Sequence, residues 1–114
     1  AVIMAVIVMN NDVRLINERL EALFKPKFAT RYGLVVVNDP YERSYNVFFN
    51  SQRAGQRLKS TPLHRITDYK LEALELIIKE LQKKTQFTIQ FVGFTSQRWP
   101  QSQKVIQYKR GRYE

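Results

Sequence analysis

Cysteine is absent from the chain, and histidine occurs once, at His64. The lack of thiols excludes a disulfide scaffold, a thiolate zinc site and a cysteine nucleophile. The surroundings of His64 contain no HxH or HExxH metal motif, and no spacing supports a Ser–His–Asp triad. Glycine-rich phosphate loops of the GxxxxGK[ST] or GxGxxG type are missing as well. These absences favour a protein that is not an enzyme, with one catalytic alternative considered below, and we predict no cofactor.

Long hydrophobic runs are also missing. The apolar run at residues 1–9 is too short to span a bilayer, and it lacks the positive flank of a signal peptide. Apolar residues make up 44% of the chain, which is enough for one compact core. These features predict a single domain over residues 1–114 and an intracellular protein, cytoplasmic or nuclear, without a membrane partner.

Acidic residues are lacking in two long stretches, residues 43–67 and 81–113. The net charge of +9 comes from these stretches, because acids and bases nearly balance elsewhere. A surface of one sign repels itself, and a polyanion offsets that repulsion. The charge distribution therefore predicts a nucleic-acid partner, with no preference between DNA and RNA.

In the second stretch aromatic and basic residues are interleaved, at Arg98-Trp99 and at Tyr108-Lys109-Arg110, which is typical of surfaces that bind phosphates and stack on bases. We expect the phosphate contacts to come from a long basic loop at residues 51–66 and from a C-terminal hairpin and tail at residues 98–112. Trp99, Tyr108 and Tyr45 are the candidates for stacking. The predicted nucleic-acid-binding residues are Arg43, Arg53, Arg57, Lys59, Arg65, Arg98, Trp99, Lys104, Tyr108, Lys109, Arg110 and Arg112.

The hydrophobic periodicity predicts an α+β fold. Apolar residues at helical spacing between Val13 and Phe24, and between Leu71 and Leu81, predict two amphipathic helices, the second capped by Thr67 or Asp68. Apolar runs and alternation predict strands at residues 1–9, 32–38, 44–50, 86–94 and 104–109. This order favours a ferredoxin-like βαββαβ sandwich with an extra C-terminal strand, two helices on one face of an antiparallel sheet and a central first strand. Residues 109–114 form a basic tail.

Two other functions fit parts of the sequence. The basic surface could bind an acidic protein, and exposed sheet edges could pair two copies as a homodimer in a regulatory role. Alternatively, Asp12 and Asp39 each follow a predicted strand, and carboxylates at one sheet edge could hold Mg²⁺ for phosphodiester cleavage. Simpler roles for these two residues are a helix cap and a turn.

Overall fold

The computed structural model describes residues 11–25, 29–95 and 97–107. The described residues form two helices and four strands. The helices are α1 (Asn11–Leu23) and α2 (Leu71–Lys84), and the strands are β1 (Thr30–Asp39), β2 (Ser44–Arg53), β3 (Lys59–Ile66) and β4 (Thr88–Val92). None of the helices in these ranges is long and apolar enough to cross a membrane.

Both helices bury most of the apolar stripes that their periodicity predicts, but Leu23 at the end of α1 is 43% exposed. In α1 the stripe consists of Val13, Ile16 and Leu20, which are at most 4% exposed. In α2 the buried stripe is Leu74, Ile77, Ile78 and Leu81. The predicted cap of the second helix is wrong, because Lys70 occupies that position and its side chain makes no capping hydrogen bond.

The strands form one mixed sheet in the order β3-β2-β1-β4. The β1–β2 and β2–β3 pairs are antiparallel, whereas β4 returns through α2 and lies parallel to β1. A helical crossover of this kind is what a parallel pair requires. Buried residues of both helices share one core with inward residues of the sheet, so the helices cover the same face.

The α+β class with two helices on one sheet face is thus confirmed, but the sheet is mixed rather than antiparallel. The ferredoxin-like strand order is not confirmed. In that order the first strand would be central, and its residues 1–9 lie outside the described part of the chain. Among the described strands, β1 itself lies between β2 and β4.

The predicted loop at residues 51–66 is wrong, because β2 continues to Arg53 and β3 begins at Lys59. The two strands form a hairpin whose turn contains Gly55 at φ +78°. The sequence did not predict strand β3, because this strand buries only Leu63 and Ile66, which is too few for a clear alternation, and it contains Pro62. Proline is tolerated in strands mainly at edges and bulges. Here β3 is an edge strand of the described sheet, with a register shift beside Pro62.

The predicted C-terminal hairpin is also different from what the structure shows. Up to residue 107 the segment after β4 makes two isolated bridges, Thr95 with Gln107 and Arg98 with Val105, and no strand of it pairs with β4. The remainder of that predicted strand and the tail lie in residues 108–114, outside the described residues.

Candidate nucleic-acid interface

A basic cleft of about 270 Å³ lies at the end of the sheet where β2 turns into β3. Four cationic side chains line it: Lys25, Arg53, Arg57 and Lys59. Thr30, Ser51 and Gln56 add neutral polar groups, and no acidic residue of the described chain lines it. We call this site the basic cleft. It unites three predicted site residues from the first acid-free stretch with Lys25, which the sequence reasoning missed.

The β2–β3 hairpin carries three of these cations, Arg53, Arg57 and Lys59. Arg53 is the last residue of β2 and pairs with Thr30 of β1. The Gln56 amide donates to the Arg53 carbonyl at 2.9 Å, and the Ala54 amide donates to the Ala29 carbonyl at 2.9 Å. These hydrogen bonds fix the backbone of the turn, while the side chains of Arg53 and Arg57 stay exposed. The cleft therefore combines a hydrogen-bonded backbone frame with cationic side chains that are open to solvent.

Aromatic rings form one wall of the basic cleft. Tyr32 and Phe49 line it and stack on each other, with ring centroids 5.7 Å apart. Phe24 meets Tyr32 edge to face at 4.8 Å. The Tyr32 hydroxyl donates to the Lys25 carbonyl at 2.8 Å, which fixes the chain after α1 at this wall. Lys25 is thereby brought opposite the hairpin, although it is far from the hairpin in sequence.

Arg43 and Arg65 lie at the opposite end of the sheet. Arg43 is in the β1–β2 turn and lies over the Tyr69 ring at 5.9 Å, and Arg65 Nη2 is 4.0 Å from Glu42 Oε2. Strand β2 has ten residues, so its two ends are roughly 30 Å apart. The basic residues of the first acid-free stretch thus form two groups rather than one surface.

The described residues of the predicted C-terminal hairpin, which end at residue 107, also lie away from the basic cleft. They follow the end of β4 that pairs with Val37, whereas Thr88 at the start of β4 is on the cleft side. Arg98 donates to the Gln103 carbonyl at 2.9 Å, and the Trp99 ring packs edge-on against Phe91 at 5.4 Å. Lys104 is exposed. Four predicted contacts fall outside the described residues: Tyr108, Lys109, Arg110 and Arg112.

Tyr45 is a core residue, which removes it from the stacking candidates. It is 3% exposed and packs against Phe94 and Tyr69, at centroid distances of 5.7 and 4.9 Å. Burial, assisted by nearby Tyr69, raises the pKa of Tyr45 to about 12. Its ring therefore holds the far end of the sheet together and offers no open face to a base.

Glu75 of α2 anchors the loop that contains Trp99. Its carboxylate accepts the Gln101 amide at 2.9 Å and the Ser102 amide at 3.2 Å. Burial acts to raise the pKa of Glu75, but these two amides and nearby Lys79 outweigh it, so the pKa lies below its usual value of 4.5. The ionised carboxylate is thus the form that fits the folded loop.

Acid should loosen this loop before the rest of the domain unfolds. A group with a lowered folded pKa stabilises the fold above its unfolded pKa of 4.5, and that stabilisation is lost as the pH falls through the folded value. The only tryptophan of the chain, Trp99, is a specific fluorescence probe for the change. We expect an emission shift below pH 4.5 in the parent protein and no such acid step in Glu75→Gln. An identical acid step in Glu75→Gln contradicts the assignment.

The carboxylates proposed for a metal site have separate partners. Asp39 accepts the Tyr41 and Glu42 amides at 3.1 Å each, which is a turn-capping role. Asp12 Oδ1 lies 2.6 Å from His64 Nε2. Within residues 11–25, 29–95 and 97–107, no three histidine, cysteine, aspartate or glutamate side chains form a group that could hold a metal ion.

Asp12, His64 and Arg19 form a polar cluster between α1 and β3. Arg19 Nη1 lies 2.8 Å from His64 Nδ1 and donates to the Leu63 carbonyl at 2.8 Å. Because a guanidinium only donates, Nδ1 of His64 is the acceptor, and Nε2–H donates to Asp12 at 2.6 Å. The His64 side chain is 9% exposed. The hydrogen bonds of the cluster connect α1 to β3. Sequence alone carries no signal for pairs so distant along the chain.

The geometry thus brings one group of candidate cations together, and it gives four other candidate residues contacts within the protein: Arg43, Arg65, Arg98 and Trp99. Arg53, Arg57 and Lys59 come together with Lys25, whereas Arg43, Arg65 and Arg98 contact other parts of the protein. The chain matches no protein-family model, no curated protein and no solved structure.

Proposed function

We propose that the protein binds nucleic acid through the basic cleft. The observation that carries this proposal is the convergence of Lys25, Arg53, Arg57 and Lys59 on one recess that has no acidic lining residue in the described chain. Like charges repel when they are held together, and this cost is offset when phosphates neutralise them. A chain of phosphates supplies several such groups at once.

The side chains of the basic cleft suit phosphate chemically. The guanidinium groups of Arg53 and Arg57 present paired N–H donors, which match two oxygens of a phosphate. Lys25 and Lys59 add compact charges, and Gln56 adds a neutral donor. Tyr32 in the wall gives a sugar or base an apolar surface. The site therefore combines phosphate binding with a smaller aromatic contact.

The remaining predicted residues take secondary places in this proposal. Arg98 and Lys104 would bind the strand weakly at the far end, because Arg98 already donates to Gln103. The sequence-based contacts of Tyr108, Lys109, Arg110 and Arg112 extend the proposal to the C-terminal tail. Arg43 and Arg65 contribute least, since each already has an intramolecular partner.

Salt dependence tests the proposal directly. Binding of a labelled oligonucleotide is measured by anisotropy over a series of salt concentrations. Four phosphate contacts on a single strand predict that log K falls against log salt with a slope of roughly −3. Arg53→Ala with Arg57→Ala should reduce the slope magnitude by about 1.4, because two contacts are lost.

The matched variant Arg98→Ala with Lys104→Ala removes the same charge at the far end of the sheet. We expect it to change the slope much less than the cleft variant does. The proposal is wrong if neither DNA nor RNA is retained at low salt. The assignment to the basic cleft is wrong if Arg98→Ala with Lys104→Ala reduces the slope magnitude more than Arg53→Ala with Arg57→Ala does.

A further inference from the structure

A second recess, of about 430 Å³, lies on the sheet face opposite the helices. We call it the amide groove, because amide side chains dominate its polar lining. In the sheet, Gly33 lies opposite both Asn50 and Thr88, and Val35 lies opposite Gln90. Residues opposite each other, and residues two apart on one strand, point to the same face. All five residues therefore lie on one face of the sheet. The residues that matter are Arg31, Asn50, Gln52, Leu58, Thr88 and Gln90.

The lining of the amide groove is open to solvent and free of acidic residues within the described chain. Arg31, Gln52, Thr88 and Gln90 are exposed. Gln52 Nε2 donates one hydrogen bond to the Gln56 carbonyl at 3.3 Å, and its second N–H and its carbonyl oxygen remain for a ligand. Gly33 has no side chain, so the backbone of the sheet forms the floor of the groove at this position. Amides present a donor and an acceptor side by side, and this pair matches the polar edges of nucleobases.

The amide groove and the basic cleft meet at the same end of the sheet. Gln52 lines the groove and Arg53, the next residue, lines the cleft. Leu58, just before β3, lines the groove and Lys59, the first residue of β3, lines the cleft, while Tyr32 borders both recesses. Consecutive strand residues point to opposite faces, so the two sites lie back to back and the thickness of the sheet separates them. One polymer can therefore reach both.

We propose that the amide groove receives unpaired bases of the strand whose phosphates occupy the basic cleft, which makes the ligand single-stranded. This inference rests on the proposed nucleic-acid binding. The Watson–Crick edges of a duplex are already hydrogen-bonded to each other, and its major-groove edges are read by helices or ribbons that protrude into the groove, whereas a recess can receive unpaired bases. Exposed amides beside a cationic recess thus favour a single strand over a duplex.

Uncharged variants separate base contacts from phosphate contacts. The test variant is Gln52→Ala with Gln90→Ala, and the control is Gln82→Ala with Gln86→Ala, which removes two exposed amides elsewhere. Asn50 is left intact because its Oδ1 is buried. The probes are single strands of DNA and RNA of about twelve nucleotides, an abasic strand of equal length and the matching duplex.

The parent protein should bind the single strand about tenfold more tightly than the abasic strand, since two amide–base hydrogen bonds account for this ratio. In Gln52→Ala with Gln90→Ala this ratio should fall towards one while the salt slope stays unchanged. In Gln82→Ala with Gln86→Ala the ratio should stay at about tenfold. Equal binding of abasic and natural strands by the parent protein, or tighter binding of the duplex, overturns the inference. If no probe is retained at low salt, the proposed function itself fails.

Discussion

Replacing Arg53 and Arg57 by glutamate is expected to lower nucleic-acid affinity about 100-fold at moderate salt. Each arginine is expected to make a charge-assisted hydrogen bond worth at least ~1.5 kcal/mol, and two lost bonds correspond to roughly two orders of magnitude. Repulsion between the new carboxylates and phosphates adds to the loss. Equilibrium titration of a labelled single strand measures the effect.

The control for this prediction is Arg14→Glu with Lys70→Glu. Both residues are exposed, both lie outside the basic cleft, and the change in net charge is the same. We expect an affinity loss of only a few-fold, because distant exposed charges are screened at moderate salt. An equal loss in both variants would mean that total charge, rather than the basic cleft, controls binding. Circular dichroism checks that Arg53→Glu with Arg57→Glu still folds.

The second large effect concerns stability. Leu74→Ala should lower the free energy of unfolding by about 3–5 kcal/mol, because Leu74 is fully buried in the core and its truncation leaves a cavity. Small domains are stable by only about 5–15 kcal/mol, so this variant should lose a large part of its stability. Urea unfolding followed by circular dichroism measures the change.

Leu76→Ala is the matched control, since it makes the same chemical change on the same helix. Leu76 is 54% exposed, so its removal leaves no cavity. We expect a change within about 0.5 kcal/mol, as for most surface substitutions. Similar losses at the two positions would show that α2 faces the core differently from the structure described above.

Local periodicity predicted the parts of the fold that depend on burying one face of an element. The stripe from Val13 to Leu20 and the stripe from Leu74 to Leu81 are both buried as expected. Strand β3 was not predicted because an edge strand buries few residues and tolerates Pro62. The parallel β1–β4 pair was not predicted because pairing depends on the path of the chain through α2, which periodicity does not encode.

The candidate site was predicted in part for a related reason. A lack of acids along the chain identified Arg53, Arg57 and Lys59, which do lie together. It also grouped Arg43 with them, although strand β2 carries Arg43 to the opposite end of the sheet. Lys25 was missed because its own stretch of sequence has balanced charges, and only the fold brings it to the cleft.

Strand β3, at an edge of the described sheet, has a consequence for the proposed binding to a polymer. A protein that binds along a nucleic-acid strand reaches high local concentrations, and exposed strand edges then become templates for fibrous aggregates. In β3, Pro62 offers no N–H, the adjacent bulge interrupts the ladder and Lys59 repels a second copy. On the proposed nucleic-acid ligand, neighbouring molecules can therefore lie close together without joining their sheets along this edge.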